Sequence, residues 1–285
     1  MAYRIVTDSC CDLGTEILAR LDVRVAPLGV DFGDRFELDG QLDLKEFYDG
    51  MRDGVVSTTS AVNPEGWARK MEPALKNGEN VLVLTFSSGM STTYQSAVIA
   101  ADELGEQYPD RKILVIDTLA ASAGQGLLVW NAAKMRSAGK SMDEVAGWVM
   151  ENRDHVAHWV TVEDLKYLKR GGRISAATAV VGTMLSIKPI IHVDDEGKLS
   201  SVDKTRGRKG SVTYLVEKLG QTVLPEGLET VFLSHADCLE DAQHIADAVK
   251  ERFGVKEVII TNIGPVVGSH TGPGCLALCF LAQEK

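Results

Sequence analysis

Short apolar runs alternate along this chain with longer segments in which apolar residues recur every three or four positions. The apolar runs of the first half are residues 3–7, 23–30, 81–86 and 112–117. Their nearly continuous Val, Ile and Leu content is typical of strands buried on both faces of a parallel sheet. The intervening segments predict helices at residues 14–20, 43–53, 64–75, 91–106 and 118–137. Strands that alternate with helices in this way predict βαβ units and a parallel sheet.

The pattern changes after a predicted helix near residues 141–152. Residues 186–193 and 198–204 flank the sequence Asp-Asp-Glu-Gly, whose composition is typical of a turn, so they predict a β-hairpin or a β-meander. Further strands and helices are expected at 158–162, 207–220, 230–235, 239–252 and 255–262. We therefore expect an α/β protein of two domains. The first (1–155) would hold a parallel sheet, and the second (156–285) would be α+β with a mixed sheet.

The composition is that of a globular protein, with 45% apolar and 25% charged residues in a chain of 285. No stretch approaches the roughly 18–20 apolar residues that cross a bilayer. The N-terminal apolar run ends at Asp8 and does not resemble a signal peptide, so we expect a cytoplasmic protein without stable membrane insertion. The five cysteines show no metal-ligand spacing and are expected to be reduced, mostly buried thiols.

The charge is unevenly distributed. A formal net charge of −10 argues against nucleic acid as a partner. Residues 166–209, the basic segment, nevertheless carry ten Lys and Arg against four Asp and Glu. Arg170 and Arg173 flank a Gly-Gly pair that predicts a helix end and would lie at an exposed loop tip. A solvated face is one explanation for the basic segment, and a docking surface is the other.

Polar residues follow three of the predicted strands, namely Asp8-Ser9, Ser87-Ser88 and Asp117-Thr118. Ligands of open α/β sheets bind beyond the carboxyl ends of the strands, where helix N-termini favour anions. The alternative is that each polar side chain only caps the next helix. A fourth polar cluster, residues 57–60, favours a shared pocket over four separate caps.

Hydroxyl groups are unusually dense just before the predicted helix at 91–106. They belong to Ser87, Ser88, Ser91, Thr92, Thr93 and Tyr94. Hydroxyls both donate and accept, so they can hold a carboxyl group. No GxSxG elbow or neighbouring base suggests a nucleophile, which disfavours a hydrolase. The sequence Ala-Gly-Lys-Ser at 138–141 lacks the first glycine of a phosphate-binding loop, and no GxGxxG supports a dinucleotide site.

His270 lies between glycines after a predicted apolar strand. A lone histidine is more often structural than functional. The flanking glycines, however, permit close approach of a ligand, and a ring that titrates near neutrality can donate to a carboxylate. The six histidines show no metal spacing.

Several of these segments together resemble the DegV family of bacterial fatty-acid-binding proteins. They follow the family order across nearly the whole chain: VTDSCCDL near the start, TTSAVNPE at 58–65, SSGMSTTYQSA at 87–97, IDTLAASAGQG at 116–126, TVEDLKYLKRGGRIS at 161–175, LSIKPII at 185–191 with DEGKL at 195–199, and GPVVGSHTGPG at 264–274. One position departs from the family pattern, which usually has glycine where this chain has Thr92.

The resemblance implies one long-chain fatty acid in a tunnel between the two domains, with no cofactor, metal or catalytic residue. The implied carboxylate-binding residues are Thr59, Ser60, Ser88, Ser91, Thr92 and His270. It also implies a non-catalytic subunit that presents the acid to a separate kinase, which makes acyl phosphate for phospholipid synthesis. The arginines expected to contact that kinase are Arg170, Arg173 and Arg206. The alternative function is an autonomous hydrolase or phosphotransferase that acts on a small hydroxylated substrate.

Overall fold

Strands and helices alternate through much of the first half of the chain, as predicted, except at residues 23–38, where three strands follow one another. A computed structural model describes residues 2–174 and 186–285, so Ser175 and Leu185, at the ends of two of the motifs above, lie outside the described residues. The strands are β1 (Tyr3–Asp8), β2 (Val23–Ala26), β3 (Gly29–Phe32), β4 (Arg35–Leu38), β5 (Ser57–Ser60), β6 (Asn80–Thr85) and β7 (Ile113–Asp117). The helices are α1 (Thr15–Arg20), α2 (Leu44–Arg52), α3 (Pro64–Lys76), α4 (Thr93–Gln107), α5 (Ser122–Ser137) and α6 (Met142–Asn152).

Four of these strands form the predicted parallel sheet, in the order β2-β1-β6-β7. All six residues of β6 are buried, as expected for a central strand covered on both faces. Local signals explain several of the helix boundaries. Ser141 and Glu144 form a capping box at the start of α6, and the side chains of Asp43 and Asn63 cap α2 and α3.

The prediction of one strand over residues 23–30 is wrong. Pro27 interrupts it, because proline has no N–H to donate to a ladder, and the chain leaves the parallel sheet there. β3 instead pairs with β4 and β5 in a separate antiparallel sheet of three strands. The polar residues 57–60 are therefore themselves a strand, and Thr59 lies within it.

The second half contains a mixed sheet, as predicted. Its strands are β8 (Val156–Thr161), β9 (Ile187–Val193), β10 (Leu199–Arg206), β11 (Thr230–His235), β12 (Glu257–Asn262) and β13 (Leu276–Leu281), in the order β10-β9-β8-β13-β11-β12. Only the pairing of β11 with β12 is parallel among the described strands of this sheet. The predicted hairpin is the β9–β10 pair. The helices are α7 (Lys166–Arg170), α8 (Gly207–Thr222), α9 (Leu239–Phe253) and α10 (Pro265–Thr271).

Helix α5 joins the two halves, because it packs against β6 of the parallel sheet and against β8, β11 and β13 of the mixed sheet. Eleven of its residues are buried, including Leu127, Leu128 and Val129, so it is covered on nearly all sides. One apolar core consequently extends from the parallel sheet into the mixed sheet. No helix within residues 2–174 and 186–285 is long and apolar enough to cross a membrane.

Candidate functional site

A cavity of about 440 Å³ lies between the two halves of the molecule. This volume falls in the range of roughly 300–1,000 Å³ that is usual for small-molecule sites. Its wall is mainly apolar and is contributed by both halves. The apolar residues include Leu28, Phe86, Val160, Ile191, Val193, Leu199 and Ala277. The cavity is therefore suited to a ligand with an extended hydrocarbon part.

All six residues predicted to bind a carboxylate line this one cavity: Thr59, Ser60, Ser88, Ser91, Thr92 and His270. They come from three separate parts of the fold. The first two lie on β5, the next three lie in the loop between β6 and α4, and His270 lies on α10. Residues 265–271 form a short helix that starts at Pro265, which the sequence pattern did not predict.

The side chains of Thr59 and His270 contact each other at the cavity. Thr59 Oγ1 lies 2.8 Å from His270 Nε2. The other ring nitrogen, Nδ1, is buried without a hydrogen-bond partner among the described residues, and it faces Gly171. Burial, with the nearby charges of Arg173 and Arg170, lowers the pKa of His270 to about 4. The ring is consequently neutral at pH 7.

The side chain of Ser91 is held in place by Thr93, the first residue of α4. The backbone N–H of Thr93 donates to Ser91 Oγ over 3.2 Å, and the two hydroxyl oxygens lie 2.8 Å apart. Thr93 is fully buried, and its carbonyl accepts a hydrogen bond from the indole of Trp67. Thr92 has no such contact and is exposed, so it lies where the cavity meets solvent.

The three predicted docking arginines lie in different surroundings. Arg170 and Arg206 are exposed and do not line the cavity. The expected exposure of Arg173 at a loop tip is wrong, because its guanidinium is half-buried in the cavity wall. It donates to the carbonyls of Met90 (3.1 Å) and Gly171 (2.7 Å), which draw the side chain inward.

The capping alternative is correct for Asp8, which caps the short 3-10 helix Ser9–Cys11, and wrong for Asp117, because the N-cap of α5 is Ala121. Asp8 accepts hydrogen bonds from the N–H groups of Cys10 and Phe86, and burial raises its pKa to about 7. Asp117 accepts from the N–H groups of Ser88 and Leu119. Neither carboxyl lines the cavity. Both instead hold the loops that bring the serine hydroxyls to it.

Sequence reasoning missed several polar members of the cavity wall, among them Ser122 and His158. His158 is buried, which lowers its pKa to about 3. Its Nδ1 donates to the carbonyl of Val156 over 2.9 Å, and its Nε2 accepts from the N–H of Ala121 over 3.3 Å. Both ring nitrogens are used by the backbone, so His158 is a structural part of the wall. Ser122 lies within the motif at 116–126, but that motif was not assigned to the site, and no motif marks His158.

The five cysteines are all free thiols, and four of them are buried. Burial raises the pKa of Cys275, which lines the cavity, to about 12, so this thiol is not a reactive nucleophile. Across the part of the chain that the structure describes, no group of three or more His, Cys, Asp or Glu is arranged to hold a metal ion.

Known proteins are similar to this chain in sequence and in fold over nearly its whole length. The family model described as "Uncharacterised protein, DegV family" matches residues 2–283. The chain belongs to the DegV family. A DegV domain-containing protein of Clostridium perfringens is 43% identical, over 99% of this chain and 98% of its own.

Two solved structures of DegV family proteins are similar in fold to this chain. A fatty-acid-binding DegV family protein from Thermus thermophilus is 30% identical, with a TM-score of 0.90 over 99% of this chain and 100% of that one. A DegV family protein from Eubacterium eligens, loaded with heptadecanoic acid, is 25% identical, with a TM-score of 0.88 over the same shares of the two chains.

Proposed function

We propose that this protein encloses one long-chain fatty acid, with the carboxyl group at the Thr59–His270 pair. That pair is the observation that carries the proposal, because it places polar groups in a mainly apolar cavity. Each buried methylene contributes about 0.8 kcal/mol, so a long acyl chain contributes on the order of 10 kcal/mol before the costs of binding. The carboxyl group is the costly end to bury, and it requires hydrogen-bond donors.

The orientation of His270 determines which donors are available. Since Nδ1 faces Gly171 and finds no acceptor there, we assign the ring proton to Nε2, which then donates to Thr59 Oγ1. The hydroxyl proton of Thr59 is thereby free to donate to the ligand carboxylate, which only accepts. Ser91 supplies a second hydroxyl, and the half-buried Arg173 adds positive charge.

A hydroxyl next to an imidazole also resembles the nucleophile and base of a hydrolase. Two features argue against that function. No carboxylate orients His270, because its Nδ1 faces a glycine, and a pKa of about 4 makes the ring a weak base at pH 7. We therefore favour a binding protein without catalytic activity of its own.

We further propose that the bound carboxyl group is presented to a separate kinase that forms an acyl phosphate. Thr92 lies at the mouth of the cavity, and the exposed Arg170 and Arg206 belong to a basic segment on a protein of net charge −10. Exposed arginines steer association with an acidic partner. The five free thiols suit a reducing compartment such as the cytoplasm.

Native mass spectrometry of freshly purified protein, followed by lipid extraction, tests the binding function. We expect an adduct of the mass of one long-chain fatty acid, which organic solvent releases. A delipidated sample should take up one equivalent of added acid and bind the corresponding methyl ester more weakly, because the ester cannot form the charge-assisted hydrogen bonds of a carboxylate. Stable binding of the ester with the same affinity, or no binding of either, would contradict the proposal.

A further inference from the structure

Helix α10 carries His270, and the other half of the molecule holds its first turn in place. The backbone N–H of Gly264, immediately before the helix, donates to Asp12 Oδ1 over 2.9 Å. Asp12 lies 252 positions earlier, after the short 3-10 helix Ser9–Cys11 that follows β1. This hydrogen bond therefore connects the segment that follows β1 of the parallel sheet to the helix that positions the imidazole.

The second carboxyl oxygen of Asp12 accepts a hydrogen bond from Ser122, a residue of the cavity wall. Ser122 Oγ lies 2.5 Å from Asp12 Oδ2 and 2.8 Å from the hydroxyl of Ser234, the fifth residue of β11. Asp12 is only 7% exposed, and Ser122 is 4% exposed. One buried carboxyl group thus bridges the start of α10, the start of α5 and, through Ser122, a strand of the mixed sheet.

Two backbone features accompany these hydrogen bonds. Asp12 and Ser122 have φ angles of +49° and +48°, a left-handed conformation that aspartate tolerates but serine seldom adopts. Such conformations persist where the surrounding contacts enforce them. The approach of the helix is also close, because a Cβ at Gly264 would lie 2.9 Å from Asp12 Oδ1 and 3.2 Å from Asp39 Oδ1.

We propose that Asp12 is a positioning residue for the ligand site: it fixes the start of α10 and so keeps His270 in contact with Thr59. Asp12 does not line the cavity, and it acts on the site through Gly264 and Ser122. The helix has only seven residues, so loss of the bond at its start should affect its whole length. The effect on lipid binding rests on the proposed function, whereas the effect on α10 does not.

The variants Asp12→Gly and Asp12→Asn distinguish the effect of the side-chain hydrogen bonds from the effect of the backbone conformation at position 12. Glycine accepts the positive φ without strain but removes both hydrogen bonds. Asparagine tolerates the same φ and keeps one acceptor for Gly264 and one donor for Ser122. Asp22→Gly is the matched control, since Asp22 is an exposed aspartate with a φ of +49° in the turn before β2.

Amide hydrogen exchange and imidazole ¹⁵N spectra of the lipid-free protein provide the primary measurements. In Asp12→Gly, we expect exchange over residues 264–271 to rise about tenfold, and the pKa of His270 to move from about 4 toward its ordinary value. Asp12→Asn and Asp22→Gly should leave both properties close to wild type. Affinity for palmitate should fall about tenfold in Asp12→Gly alone.

Unchanged exchange over α10 in Asp12→Gly would overturn the proposal, as would equal losses in Asp12→Asn and Asp12→Gly. Should Asp12→Gly fail to fold, Ser122→Ala provides the second test, because it removes one of the two bonds of Asp12 without creating a cavity. It should give a smaller rise in exchange over the same residues, and wild-type exchange there would also overturn the proposal. A protein that binds no fatty acid would invalidate the proposed function but leave these two measurements intact.

Discussion

The imidazole of His270 lies 2.8 Å from the hydroxyl of Thr59, although 211 positions separate the two residues. β5 supplies the threonine and α10 supplies the histidine, so the contact crosses from one half of the molecule to the other. The cavity between the halves is lined at this point by two side chains that can orient each other's protons. Most of the predictions below depend on this contact or on residues next to it.

The double variant Thr59→Ala/Ser91→Ala should lower fatty-acid affinity at least about tenfold, because hydrogen bonds to a charged group contribute about 1.5–3 kcal/mol each. Displacement of a fluorescent fatty acid measures this loss. Thr58→Ala is the matched control, since Thr58 is the exposed neighbour on β5 and does not line the cavity. A double variant with wild-type affinity and a native melting curve would show that the carboxyl group binds elsewhere.

Thr92→Gly should change the affinity for the head group and leave the preferred acyl length unaltered. Thr92 is exposed at the mouth of the cavity, whereas the acyl chain would contact the apolar wall formed by residues such as Ile191 and Ala277. Titration with a series of saturated acids of increasing length separates the two effects. A shift in the preferred length at constant overall affinity would place Thr92 beside the chain and not beside the carboxyl group.

Gly171→Ala should displace His270, because a Cβ at position 171 would overlap with Nδ1 of the ring. We expect a loss of about 1–3 kcal/mol in the free energy of unfolding, together with weaker fatty-acid binding. Gly147→Ala is the control, since Gly147 lies exposed in α6 with open space around it, and it should gain about 0.5–1 kcal/mol. Chemical denaturation of both variants measures the difference. Wild-type stability and affinity in Gly171→Ala would mean that the ring has room to move.

The depressed pKa of His270, about 4 against an ordinary 6.5, makes stability depend on pH in a defined direction. The folded state keeps the ring neutral, so the unfolded state binds more protons below pH 6.5, and stability falls as pH decreases from 6.5 toward 4. His270→Gln should flatten this part of the profile in urea unfolding. His244→Gln, at an exposed histidine of α9, should leave the profile unchanged. Parallel profiles for wild type and His270→Gln would contradict the assignment.

Arg170→Ala/Arg206→Ala should retain fatty-acid affinity and lower acyl-phosphate formation with a cognate kinase. Arg173 is left out of this test because it lines the cavity. Rising salt should weaken the wild-type encounter, since exposed charges are screened. The pair Lys204→Ala/Lys209→Ala removes the same charge from exposed positions of the basic segment and is the control. Equal turnover in all three proteins would remove the basis for a docking surface.

Much of the parallel sheet was predictable because its central strands, β1 and β6, are almost entirely buried and its strands are rich in Val, Ile and Leu. The antiparallel sheet of β3, β4 and β5 was not, since β4 is mostly exposed and β5 consists of Ser and Thr alone. Helix α10 was also missed, because two of its seven positions are glycine or proline and tertiary contacts hold it. The domain boundary near residue 155 stays a prediction.

The candidate site was predictable only where a motif marked it. The serine-rich loop, residues 57–60 and His270 stood out by their residue types, the resemblance to the DegV family assigned Thr59, Ser91 and His270 to the carboxylate, and the structure brings them to one cavity. Arg173 was expected at the surface because nothing in the sequence reveals the two carbonyls that draw it inward. His158 lines the cavity through tertiary packing, which leaves no local pattern to detect, and Ser122 lies in the motif at 116–126 without a feature that points to the site.

The assembly of the head-group site from β5, the loop before α4 and α10 has a consequence for synthesis. The parallel-sheet half emerges from the ribosome before residues 265–271 do, because translation adds only roughly 5–20 residues per second. During that interval Thr59 and Ser91 have no imidazole beside them, and the apolar wall lacks the strands that complete it. A ligand that binds only the finished molecule stabilises only the finished molecule. Lipid binding would thus begin only after both halves have been synthesised and have folded together.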